Sequence, residues 1–174
     1  TYPDVRIKVT NSTSIGCAEL LQKGQVDFIV CNYPNSGLRG HFQIKKLMDF
    51  QDIFVANPEY FPVDSNHTDL KKIMDYPILM LSSKTTTSEY LHKVFVSHNL
   101  KLLPEVELNS NDLLVDLARI GLGIACVPDY MLNYNKELTQ IELEEPLPAR
   151  QLVLVQHDEL PISQAAERFL KMFE

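Results

Sequence analysis

NDLLVDLARIGLGIACVP, residues 111 to 128, reads as one helix, a sharp glycine turn and one short buried strand that stops at a proline. Leu113, Leu114, Leu117 and Ile120 recur at helical spacing and predict the apolar face of the helix. Ser110 or Asn111 can cap its start, and Asp112 falls in the first turn, where the helix dipole favours negative charge. Gly121 is placed to end the helix in the positive-φ conformation that such ends require. Ile124 to Val127 is an apolar run too short for a helix, and Pro128, lacking an amide hydrogen, closes the strand. This is a helix-to-strand unit of an α/β protein.

Outward from this unit, strands and helices alternate. Val5, Ile7 and Val9 predict a strand over Val5–Thr10, followed by the polar turn Asn11-Ser12-Thr13-Ser14 and a helix from Ile15 to Lys23 that Gly24 closes. Val26–Cys31 is a nearly all-apolar strand, as expected when both faces are covered. Ile44–Met48 and Ile53–Ala56 read as two strands joined through Asp49-Phe50-Gln51-Asp52. A short helix over Thr68–Met74 and a strand over Ile78–Leu81 precede a second polar turn, residues 82 to 87. That turn opens a long helix to about Leu100, with Thr86 and Glu89 at capping-box spacing and Tyr90, Leu91, Val94 and Phe95 facing inward. Val106–Leu108, Leu138–Leu143 and Leu152–Val155 complete the strands. Ser163 caps a last helix with Ala166, Phe169, Leu170 and Phe173 inward. The alternation predicts an α/β fold with a parallel-rich sheet and helices on both faces.

Composition bounds the function. The 174 residues suffice for one ordinary domain or two small lobes, and 45% hydrophobic with 22% charged residues describe a globular chain. No apolar run approaches the roughly 18 residues of a membrane span, and the start shows no signal-peptide pattern. The absent initial methionine points to a piece of something longer. A net charge of −7 and a pI of about 5.2 make a poor phosphate-backbone binder, and Lys45–Lys46 and Lys71–Lys72 are pairs rather than a patch. Contact with DNA is therefore expected only through residues outside this chain. Cys17, Cys31 and Cys126 are an odd count at buried-looking positions, which points to reduced thiols in a cytosol. None of the five scattered histidines pairs with a cysteine, so no metal site or cofactor is expected.

In parallel-rich sheets, ligands bind beyond the carboxyl ends of strands, where helix N-termini point. The turns at 11–14 and 82–87 have that position and carry Ser12, Thr13, Ser14, Ser83, Thr85 and Thr86. Their hydroxyls either cap helices or bind a ligand. Catalysis would need a nucleophile with a base, or paired carboxylates. Asp27, Asp49, Asp52 and Asp112 are each explained by turns, caps and strand edges, and His92 and His98 show no partner in sequence. The chain reads as no enzyme.

The order of these pieces resembles the effector-binding (substrate-binding) domain of the LysR-type transcriptional regulators. The resemblance rests on YPDVRIKV at 2–9, LLQKGQVDFIV at 20–30, DFQDIFVANP at 49–58, the polar turn before 86, GLGIACVP at 121–128 and SQAAERFLKMF at 163–173. It implies a periplasmic-binding-protein-like (type 2) fold of two Rossmann-like lobes joined by two crossover strands. Lobe I would take residues 1–50 with 147–174, lacking the family's first strand and helix, and lobe II residues 51–146. The DFQD turn and PLPAR would be the crossovers. The DNA-binding helix-turn-helix domain would lie outside this chain. The resemblance further implies a small-molecule effector held between the lobes to control promoter binding, a cytoplasmic location, no membrane partner, and a homodimer or tetramer associating through the helix at about 87–100, with Val94 and Val96 at the contact. Ser12, Thr13, Ser14, Ser83, Thr85 and Thr86 would line the site, with Asn32 and Tyr33 at its rim and Pro128 near its floor. Two helix N-termini with hydroxyls suit a carboxylate or another small anion. An extracytoplasmic solute receptor of the same fold is the alternative, and unpaired cysteines count against it.

Overall fold

The computed structural model describes residues 5–62 and 67–173, and of Phe173 the backbone alone. Tyr2, Pro3 and Asp4 of the YPDV segment, and the inward side chain expected of Phe173, lie outside the described residues. The chain divides into two compact units, Thr1–Asp49 with Gln151–Glu174, and Phe50–Arg150.

The unit Phe50–Arg150 is built on strands β3 (Asp52–Ala56), β4 (Ile78–Leu81), β5 (Val106–Leu108), β6 (Ile124–Pro128) and β7 (Thr139–Ile141), in the order β5-β4-β6-β3-β7. β4 runs parallel to β5 and β6, whereas β3 is antiparallel to β6 and β7. Helix α3 (Thr86–Ser97) links β4 to β5, and α4 (Asn111–Arg119) links β5 to β6. Since β5 and β6 flank β4 on opposite sides, crossovers of one hand place the two helices on opposite faces. The strands record this residue by residue. Phe54, Ala56, Ile78, Met80, Ile124 and Cys126 pack with Leu91 and Phe95 of α3. Their neighbours Ile53, Val55, Leu79, Ala125 and Val127 pack with Leu114, Val115 and Ala118 of α4. Two-sided burial is why these strands are apolar throughout instead of alternating.

In the 111–128 stretch, Ser110 is the cap, its Oγ accepting from the Leu113 amide at 3.3 Å. Gly121 has φ +78°, and the Tyr60 ring occupies the space a Cβ would need there. The helix face differs from the expected one. Leu114, Val115 and Ala118 are buried, Leu117 is half-buried, and Leu113 and Ile120 are exposed. The contact line runs through Ala118, whose small side chain permits close approach to the sheet. Leu114 and Val115 lie four and three residues earlier on the same face, which leaves Leu113 and Ile120 at its sides.

The other unit holds α1 (Ser14–Gln22) and the strands β1 (Phe28–Tyr33), β2 (Phe42–Phe50) and β8 (Arg150–His157), in the order β1-β8-β2. Ala18 and Leu21 of α1 meet Ile29, Cys31, Val153 and Val155. Two expectations fail here. β1 is antiparallel to β8, from Phe28 opposite Gln156 to Tyr33 opposite Gln151, so the parallel-rich reading holds only for part of the other unit. Residues 5–10 form no strand, and Val9 is 84% exposed, with Ile7 and Val5 also exposed. Alternating apolar side chains do not make a strand without a neighbour to complete its hydrogen-bond ladder, and no described residue pairs with this segment.

Two smaller helices, α2 (Leu70–Ile73) and α5 (Gln164–Leu170), are capped by Asp69 and Ser163. The long helix ends at Ser97 rather than near Leu100, followed by Asn99 at φ +58°. Val94 is spent on the core of its own unit, while Val96 is 67% exposed.

Candidate functional site

Each unit carries one of the two predicted turns at the carboxyl end of a strand. At the end of β1, Thr13 caps α1 from an extended backbone, its Oγ1 accepting from the Gly16 amide at 3.1 Å. The Ser14 Oγ accepts from the Asn32 amide at 3.1 Å, and the Ser14 carbonyl accepts from the Asn35 side chain at 2.8 Å. The Ser14–Asn32 bond joins the turn to the end of β1, with Ser12 and Thr13 as chain neighbours on one side and Tyr33 on the other. Asn35 was not legible as part of the turn. It is buried, and its Oδ1 also accepts from the Gly37 amide at 2.9 Å. Thr13 and Ser14 each accept one bond and keep a hydroxyl proton to donate. Ser12 and Tyr33 are exposed, and neither hydroxyl has a partner among the described residues.

A concavity of about 450 Å³ opens at the other end of α1, lined by residues including Lys23, Asp27, His157 and Pro161. It sits at a helix C-terminus, which repels an anion, and shares nothing with residues 12–14.

In the other unit, the turn follows β4. Ser82 Oγ donates to Asn109 Oδ1 at the end of β5. Thr85 is the cap of α3, with φ −118° and ψ 153°, and its Oγ1 accepts from the Ser88 amide at 3.1 Å while donating to the Ser82 carbonyl at 2.9 Å. The cap therefore lies one residue before the Thr86 read from the Thr86–Glu89 spacing, and no capping box forms there, because the Ser88 side chain makes no return hydrogen bond among the described residues. A cap needs extended backbone, and Thr86 is already helical. With both hydroxyl roles used, Thr85 shapes the turn and has no hydroxyl to offer a ligand. Thr86 is buried as well and accepts from Arg150. Ser83 and Lys84 are exposed, with no partner among the described residues. Pro128 is buried at the end of β6, opposite Asp52 of β3.

Beneath this turn lies an ion pair that sequence reading missed. Arg150 is 2% exposed and Asp52 wholly buried. Arg150 Nη1 donates to Asp52 Oδ2 at 2.6 Å and to Thr87 Oγ1 at 3.0 Å, and Nη2 donates to Thr86 Oγ1 at 3.1 Å. The guanidinium lies over the rings of Tyr90 and Phe50, at 4.9 and 5.4 Å from their centroids. Burial pushes the Asp52 carboxyl above the usual carboxylate range, against the opposing pull of Arg150. Burial also raises the Tyr90 hydroxyl and the Cys126 thiol, so both stay protonated. Asp52, the first residue of β3, is thus a charged-pair partner as well. His98, which showed no partner in sequence, meets Glu145 at 3.3 Å. Among the described residues no group of three His, Cys, Asp or Glu side chains could hold a metal ion. No helix among them is long and apolar enough to cross a membrane.

An α/β chain of this topology, with hydroxyl-bearing turns at strand ends and a charge pair engaged by its own threonines, has the features of a binding domain. Comparison with known proteins makes the assignment. The match to the LysR substrate binding domain covers residues 1–174, and the chain belongs to that family. It is 23% identical over 173 residues to the HTH-type transcriptional activator CmpR of Synechocystis sp. (strain ATCC 27184 / PCC 6803 / Kazusa), covering 97% of this chain and 56% of CmpR. The chain thus spans about half the length of that relative. Two solved structures share the fold over 99% of the chain. The Synechocystis PCC6803 CcmR regulatory domain in complex with 2-PG has a TM-score of 0.87 at 16% identity, with 83% of that chain covered. The effector binding domain of QuiR in complex with shikimate has 0.83 at 17% identity, with 81% covered. The fold is therefore of the type 2 periplasmic-binding-protein-like class.

Proposed function

We propose that this chain is the effector-sensing domain of a LysR-type transcription regulator and that it recognises a small anionic molecule through its two strand-end turns. The family match over the whole chain carries this reading, and it favours a regulator over a solute receptor or an enzyme. In one unit the contacts fall to Ser12, Thr13, Ser14, Asn32 and Tyr33. In the other they fall to the exposed Ser83, with the buried Thr85 and Thr86 shaping the turn behind it and Pro128 at the end of β6. Both turns sit at N-termini of helices of nine and twelve residues, which favour negative charge. Promoter binding falls to residues outside this acidic chain, in the cytoplasm.

A thermal-shift screen of small carboxylates and phosphates tests this. The compounds held by the two structural relatives, 2-PG and shikimate, are the first to try. A ligand at a hundred times its dissociation constant adds roughly 2.7 kcal/mol of stability. The expected result is a shift that Ser12→Ala with Ser83→Ala largely removes, while the unliganded melting point moves little because both residues are exposed. A shift that survives the double substitution would place the site elsewhere.

We also propose self-association through the outer face of α3, where Val96 is exposed. Val96→Glu should lower the sedimentation-derived association constant while leaving the melting point unchanged. Equal association by both proteins would rule that face out.

A further inference from the structure

We infer that Arg150 is a positioning residue that ties both ends of the Phe50–Arg150 unit to the first turn of α3, making one rigid node of three segments remote in sequence. The chain enters this unit at Phe50 and leaves it at Arg150. Arg150 reaches Asp52, two residues past the entry, and lies over the Phe50 ring. Gln51 adds a second link between the ends, its Nε2 donating to the Leu147 carbonyl. The same guanidinium holds the side chains of Thr86 and Thr87, and Tyr90, one turn along α3, donates its hydroxyl to the Pro148 carbonyl at 2.8 Å. The Gln51 carbonyl accepts from the Asp129 amide at 2.8 Å, which fixes the entry to the end of β6.

Stability alone does not account for this pair. Asp52 Oδ1 and Arg150 Nε are buried without a hydrogen-bond partner among the described residues. A buried ion pair left partly unsatisfied is a poor stabiliser beside apolar side chains of similar size. It does impose geometry, because the planar guanidinium fork fixes its acceptors in direction as well as distance. The two connections to the neighbouring unit and the first turn of α3 therefore move together or not at all. This bears on the proposed function, since a ligand at residues 82–87 would act on that same turn. The tie itself is independent of any ligand, and its test uses none.

The experiment is hydrogen exchange on the whole unliganded chain, comparing wild type with Thr87→Val, Thr87→Ser and Arg150→Lys. Thr87→Val keeps the shape of the side chain and removes one acceptor of the guanidinium. It should speed exchange by about tenfold at residues 88–90 and, together with them, at 50–53 and 147–152, leaving β5 unchanged. Thr87→Ser should restore wild-type rates in all three segments. In an Arg150→Lys background, Thr87→Val should add nothing at 50–53 and 147–152, because the connection has already been cut. Faster exchange confined to α3, faster exchange spread evenly over the unit, or additive effects of Thr87→Val and Arg150→Lys would each overturn the inference. If Arg150→Lys fails to fold, the contrast between Thr87→Val and Thr87→Ser decides alone: coordinated change at the three segments upholds it, and change in α3 only overturns it.

Discussion

The N-termini of α1 and α3 are built from the same local parts and put to different use. Each is capped by a threonine whose Oγ1 accepts, at 3.1 Å, from the amide three residues on, Gly16 in one and Ser88 in the other. Around α1 the turn is half open, with Ser12 and Tyr33 exposed. Around α3, residues Thr85 to Ser88 are all buried, and Arg150 takes up the two threonines after the cap. One sequence pattern, a run of hydroxyls before a helix, therefore marks both an accessible turn and an internal joint. A residue 63 positions beyond Thr87 decides which it becomes.

The largest expected effect breaks the joint. Arg150→Met should destabilise the protein by about 3–5 kcal/mol in denaturant unfolding, because it strands the Asp52 carboxylate in the interior. Asp52→Leu combined with Arg150→Met should recover most of that loss. A double variant as unstable as the single one would show that the hydrogen bonds to Thr86 and Thr87 matter more than the charge pair.

The two caps sharpen the comparison at smaller scale. Thr13→Ala should cost about 0.5–1 kcal/mol, since water can reach the freed Gly16 amide. Thr85→Ala should cost about 2 kcal/mol, since the Ser88 amide would be left bare in the interior. Equal losses in thermal unfolding would mean that burial does not separate the turns.

The smallest effect lies at the far end of α3. His98 Nδ1 meets the Val94 carbonyl at 2.9 Å and Nε2 meets Glu145 at 3.3 Å, so the imidazolium, with two donors, satisfies both. The Val94 carbonyl and then Glu145 raise the His98 pKa above its ordinary value. A raised folded-state pKa gives a stabilisation fully present below the ordinary imidazole pKa and lost as pH rises through the folded one. A proton NMR titration should show His98 titrating high, and Glu145→Gln should bring it down. An unchanged titration would leave the Val94 carbonyl as the whole cause.

What was legible in the sequence follows the range of the forces involved. Ser110, Gly121 and Pro128 act on their own few residues, and each did what local backbone rules require. Among Thr85, Thr86 and Thr87 any could cap, and only backbone geometry chose Thr85. Val5, Ile7 and Val9 had the right alternation, but a strand needs a neighbour that local pattern does not supply. The Asp52–Arg150 pair spans 98 positions, and neither residue has a local signature beyond a charge beside an apolar strand. The family resemblance supplied the fold as a whole. It did not supply that pair.

The three cysteines give each unit its own clock. Cys126 is fully enclosed in β6 and Cys31 buried in β1, with both thiols raised by burial, while Cys17 is only half covered. A thiol-specific alkylating agent should modify Cys17 first. It reaches Cys31 only when the Thr1–Asp49 and Gln151–Glu174 unit opens, and Cys126 only when the Phe50–Arg150 unit opens. Mass-resolved labelling half-times would then report, in one unmodified sample, whether the two halves of the molecule breathe together or separately.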